Sequence, residues 1–166
     1  MPTSVAQELK VHCLREPVLT LAVAESMTGG RLQAAITAVS GASEFFIGGL
    51  TAYTLDQKVR HLGVKRAAAA KVNAVSSDVA AQMACGAARF FGADVAVATT
   101  GYAEPAPEFG VDEPFAYWAI AHRLVGGRWR IVTGRVVCPS MKRTQVQEAV
   151  TVAVMVELVA YFNSLT

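Results

Sequence analysis

Two apolar runs, "PVLTLAVAE" (17–25) and "ADVAVATTG" (93–101), constrain this chain more than any other feature. Their apolar residues are nearly continuous rather than alternating, so each reads as a strand buried on both faces. Such strands need helices above and below their sheet, and the chain supplies them. "SVAQELKVHCL" has Val5, Leu9, Val11 and Leu14 near helical spacing, and Glu16-Pro17 ends it. A second helix, with Thr28 as its expected cap, carries Leu32, Ala35, Ile36 and Val39 on one face until "SGAS" breaks it. "SSDVAAQMACGAARFFG" is a third: Ser76 or Ser77 caps it, Val79, Met83, Ala87 and Phe90 share a face, and Gly92 follows its end.

Between these lie a strand-like "IGGLTAYT", a helical turn "LDQKVRHLGV" closed by Gly63, and a basic, Ala-rich stretch over 65–74 that is helical in part. "FAYWAIAHRLV" and "RWRIVTGRVVC" form a β-hairpin with "GG" at its tip, and "RTQVQEAVTVAVMVELVAYF" is a long final helix. Parallel strands early and a hairpin late predict an α/β fold: one domain over 1–166, a three-layer sandwich with a mixed sheet.

Composition narrows the function. Hydrophobic residues make up 53% and charged residues 17%, which excludes a disordered chain and a coiled coil. The formal net charge is +2, and the basic cluster Lys58, Arg60, Lys65, Arg66 reads as solvated helix ends, so no nucleic-acid partner is expected. Cys13, Cys85 and Cys138 show no CxxC spacing; neither zinc nor any other cofactor is expected, and the odd count fits a reducing compartment. With no signal-like N-terminus and no uncharged apolar run of spanning length, the expectation is a cytoplasmic protein without a membrane partner. The apolar last helix and the Ala-rich stretches suit a homo-oligomer.

Two turns could carry chemistry, because loops after buried strands gather at the carboxyl edge of an α/β sheet. They are "ESMTGG" after the first run and "TTGYAEP" after the second, the latter opening into the long Pro/Gly-rich loop "YAEPAPEFGVDEP". Each allows two readings: an anion held by backbone N–H groups at a helix start, or a plain connection. His12, His61 and His122 sit in a helix, a turn and a strand, with no serine partner evident. Ser43, Tyr53 and Lys58 could form a nucleophile with a lysine base and a phenol relay. By residue type alone, such a trio arises by chance far more often than as a catalytic set.

The succession "AESMTGGRLQAAITAVSGASEFFIGGLTAYTLDQKVRHLGV" resembles the CinA C-terminal family, which includes the stand-alone nicotinamide mononucleotide deamidases. That family reads AESCTGG, then G-S-S, then a strand ending in Tyr, then a Lys and L-G-V. Further on, "NAVSSDVAAQMACGAA" and "ADVAVATTGYAEP" are similar to its G-A-V-S-E segment and its T-G-I-A-G-P loop. The resemblance covers nearly the whole chain. It implies hydrolysis of the carboxamide of a pyridine mononucleotide to the acid and ammonia. Aligning Ser43 with the second Ser of G-S-S makes it the nucleophile, with Lys58, assisted by Tyr53, removing its proton. It also implies that Thr28, Gly29 and Gly30 lie close to the nucleotide, with Ser26, Thr100 and Gly101 nearby and Arg143 facing the phosphate.

The chain departs from the family where the nucleotide should bind. Met27 stands for Cys and Ala42 for Ser, while Tyr102 and Glu104 replace Ile and Gly. "PFAYW" replaces P-V-G-T-V, and "SMKRT" replaces a G-D-R segment. Beside the amidase, these changes leave two other expectations: a catalytically degenerate relative that binds a nucleotide or acts as a scaffold, and an amidase whose substrate lacks the phosphate.

Overall fold

The structure, a computed structural model, describes residues 2–165, with side chains from Val5 onward. Five strands form one sheet in the order β2-β1-β3-β4-β5: β1 (Leu21–Glu25), β2 (Phe46–Thr51), β3 (Val95–Tyr102), β4 (Phe115–Arg123) and β5 (Trp129–Val137). β1 pairs parallel with β2 and β3, whereas β3–β4 and β4–β5 are antiparallel, so the sheet is mixed as expected. Helices α1 (Pro2–Cys13), α2 (Arg31–Thr37) and α6 (Arg143–Asn163) cover one face; α3 (Leu55–Leu62), α4 (Arg66–Ala70) and α5 (Ser77–Phe91) cover the other.

The strands sort their side chains by size. Val23, Val97 and Ile120 point to the α1/α6 layer, where Leu158 and Phe162 meet them. Ala22, Ala24, Ala96, Ala98, Ala119 and Ala121 point the other way, against Val79, Met83 and Ala87 of α5. Such small residues let α5 lie close to the sheet. The helix also approaches its neighbour tightly: a Cβ on Gly86 would come within 2.1 Å of the Leu62 carbonyl oxygen, so only glycine fits there.

Several local expectations hold. The Ser76 Oγ accepts from the Val79 N–H at 3.0 Å and caps α5, and Gly92 ends it with φ 70°. The hairpin turns through Gly126 and Gly127 at φ 83° and 77°. Helix α6, which carries Glu148 and Glu157, is by length and composition apolar enough to cross a membrane. Here Val146, Val150, Val154, Leu158 and Phe162 are instead core residues packed toward the sheet and α1.

Candidate functional site

β1, β2 and β3 run parallel, so the segments following them emerge at one edge of the sheet. Ser26 follows β1, Tyr53 and Lys58 follow β2, and Thr100–Tyr102 end β3. Together with Arg143, at the start of α6, they border a cavity of about 530 Å³. The loop 103–109 and the Asn73–Ala74 turn complete its wall.

Lys58 lies in the first turns of α3, a helix capped by Thr54, whose Oγ1 accepts from the Gln57 N–H. The residue is only 3% exposed. Its Nζ bonds to Ser26 Oγ at 2.8 Å and to the Tyr53 carbonyl oxygen at 3.0 Å. Burial strips water from the ammonium and lowers the Lys58 pKa from the model-compound 10.5 to about 8. A lysine so tuned holds a useful fraction of free amine near neutrality, and the amine is hydrogen-bonded to a serine hydroxyl.

Ser43 is not part of this arrangement. It is an exposed residue on the single 3₁₀ turn Ala42–Glu44, which precedes β2, while Lys58 follows β2. Six strand residues, at roughly 3.3 Å each, place the two at opposite edges of the sheet, about 20 Å apart. The expected Ser43/Tyr53/Lys58 trio is therefore corrected. Of the three, Tyr53 and Lys58 reach the cavity, and the serine beside Lys58 is Ser26.

The turn after β1 is organised by Glu25, a fully buried carboxylate. One of its oxygens accepts from Thr28 Oγ1 (2.6 Å) and from the N–H groups of Gly30 and Leu32 (both 3.1 Å). The other accepts from the Gln33 N–H (2.9 Å) and Gln33 Nε2 (3.1 Å). Helix α2 thus begins on an internal anion, which satisfies its first N–H groups and complements its dipole. The expectation that Thr28, Gly29 and Gly30 hold a ligand anion is corrected for the same reason. Thr28 is not the cap; its hydroxyl is spent on Glu25 and Thr99, and none of the three residues borders the cavity. The glycines serve the turn itself, with φ 61° and 96°. Across the domain, Gln147 Nε2 of α6 donates to the Met27 carbonyl at 3.0 Å and fixes the other side of the turn.

Thr100 and Gly101 do border the cavity. Thr100 Oγ1 donates to the Ala74 carbonyl at 2.8 Å, supporting a turn in which Asn73 and Ala74 both take left-handed conformations (φ 49° and 56°). Asn73 Nδ2 donates to the Tyr102 hydroxyl, and the Tyr102 ring meets Phe109 at a centroid distance of 6.0 Å. Arg143 reaches the cavity too. Its Nη1 pairs with Glu104 at 2.7 Å and its Nη2 donates to the Tyr53 hydroxyl, also at 2.7 Å. Its hydrogen bond to the Glu104 carboxylate is the chief reason its pKa is raised further.

Glu25, Gln147, Asn73 and Phe109 went unnoticed as site residues in the sequence. Glu25 was findable in principle, as a carboxylate ending an apolar strand just before a helix start. Among the described residues, no group of His, Cys, Asp and Glu is arranged to hold a metal.

The profile of the CinA C-terminal domain matches residues 3–162. The chain belongs to that family. A CinA-like protein of Chlorobaculum tepidum is 42% identical over 134 residues, which is 79% of this chain and 31% of that protein. One from Geobacter sulfurreducens is 46% identical over 112 residues, covering 66% of this chain and 27% of the relative. Such matches span about a quarter to a third of the relatives' own length. Among solved structures, a CinA superfamily protein from Klebsiella pneumoniae superposes with a TM-score of 0.89 at 25% identity, over 99% of both chains. One from Enterobacter cloacae gives 0.86 at 30% identity, over 98% of this chain and 92% of the other. The α/β fold with its mixed sheet is thus that of CinA superfamily proteins.

Proposed function

We propose that this CinA-family domain is a serine–lysine amidohydrolase, with Ser26 as nucleophile and Lys58 as base, acting on a pyridine carboxamide of the nicotinamide mononucleotide type. The observation that carries the reading is the buried 2.8 Å contact between Lys58 Nζ and Ser26 Oγ at the floor of a ligand-sized cavity. A buried lysine costs stability and is kept where its basicity is useful.

The chemistry follows from that pair. Neutral Lys58 takes the Ser26 proton as Oγ bonds to the amide carbon, giving a tetrahedral intermediate. Lys58 then passes the proton to the departing nitrogen; the C–N bond breaks and ammonia leaves an acyl ester on Ser26. Water, deprotonated by the same amine, attacks the ester, and the carboxylic acid leaves as Ser26 regains its proton. The Tyr53 carbonyl holds Lys58 in place, and the phenol forms the cavity wall where Arg143 anchors it.

Ammonia release from nicotinamide mononucleotide by wild type, Ser26→Ala and Ser43→Ala tests the reading. Wild type should turn over, Ser26→Ala should lose on the order of 10³-fold or more in kcat, and Ser43→Ala should match wild type. Turnover surviving in Ser26→Ala would remove the nucleophile. A silent wild type whose melting temperature still rises with the nucleotide would point to a binding protein.

A further inference from the structure

The charge of the cavity wall bears on which carboxamide fits. A phosphate monoester needs converging cations or free N–H groups. Of the two cations here, Lys58 is buried against Ser26 and Tyr53, and Arg143 is already engaged through both terminal nitrogens, by Glu104 and by the Tyr53 hydroxyl. Glu108 adds a second carboxylate to the wall. Apart from buried Lys58, one guanidinium faces two carboxylates on this wall. The N–H groups that begin α2 offer no alternative, because Glu25 occupies them. A phosphate would have to displace Glu104 from Arg143 and then sit beside both carboxylates.

The same wall suits a different group. Carboxylates accept from hydroxyls, and the Tyr102 and Phe109 rings present aromatic surface to a cationic ring. We infer that the substrate is a carboxamide on a cationic, hydroxylated group without a phosphate, such as an N-ribosyl pyridinium carboxamide, with Glu104 setting that preference by pairing with Arg143. This rests on the serine–lysine amidase reading and specifies its substrate class.

The test compares nicotinamide riboside with nicotinamide mononucleotide, by ammonia release with wild type, Glu104→Gln and Glu104→Gln/Glu108→Gln, and by calorimetric binding to Ser26→Ala. Wild type should favour the riboside by about tenfold or more in kcat/KM. That ratio should fall in Glu104→Gln and fall further in the double variant, and Ser26→Ala should bind the riboside more tightly. A wild-type preference for the mononucleotide, or a ratio that Glu104→Gln leaves in place, would overturn the inference while the amidase reading stands. Tighter riboside binding without turnover by wild type would overturn the amidase reading and keep the ligand class. Neither turnover nor binding would overturn both.

Discussion

Two serines follow two turns at opposite edges of one sheet, and only one is placed to react. Ser43 is exposed beside Glu44, whose carboxylate pairs with Lys10 at 3.1 Å while that lysine also donates to the Ser40 carbonyl. Ser26 is buried, and its neighbouring lysine is buried with it. Both serines therefore have a lysine in the vicinity. What differs is burial: half-buried Lys10 is paired with Glu44, whereas fuller burial drives Lys58 toward the free amine. On the proposed reading, desolvation, more than the proximity of the two residue types, makes the serine a nucleophile and the lysine a base.

The largest effect expected on this contrast is from Lys58→Met, which should lower kcat by on the order of 10³-fold. The same variant carries a stability signature. Because the folded pKa of Lys58 is depressed, the folded state takes up its proton less readily than the unfolded chain. Wild type should therefore gain stability as pH rises from about 8 to 10.5, by about 3 kcal/mol in total. Denaturant unfolding across that range should show the gain in wild type and its loss in Lys58→Met. The catalytic counterpart is a kcat/KM that climbs about tenfold per pH unit below pH 8 and levels off above it.

Next in size is Glu25→Gln. An amide there turns N–H donors toward the N–H groups of α2 and loosens the turn that carries Ser26. Stability should fall by about 2–3 kcal/mol, read by urea midpoint, with activity falling alongside. Gln147→Ala removes one buried hydrogen bond to the Met27 carbonyl and should cost about 1 kcal/mol. Ser43→Ala should be smallest, within about 0.5 kcal/mol of wild type in stability. A Ser43→Ala defect as large as that of Glu25→Gln would dissolve the distinction between the two turns.

The sheet was legible because the runs that form β1 and β3 are nearly continuously apolar, as strands buried on both faces must be. The hairpin announced itself through Gly126 and Gly127. Ser43 was singled out by its match to the second Ser of a G-S-S pattern, close in sequence to Tyr53 and Lys58, yet β2 lies between the first and the other two. Parallel topology held the correcting signal: residues after β1 and after β2 share an edge, while a residue before β2 cannot join them. The role of Glu25 was hidden for another reason. A glycine-rich helix start looks the same whether its N–H groups face a ligand or the protein's own carboxylate, and only the fold shows which anion is present.

The central claim, that burial beside Lys58 makes Ser26 the reactive serine, is tested most directly by labelling. Wild type and Lys58→Met would be treated with a fluorophosphonate probe at pH 8.5 and the adduct mapped by peptide mass spectrometry. The account predicts one adduct on Ser26 in wild type, its rate sharply reduced in Lys58→Met, and none on Ser43. Labelling at Ser43, or at Ser26 with a rate indifferent to Lys58, would contradict it.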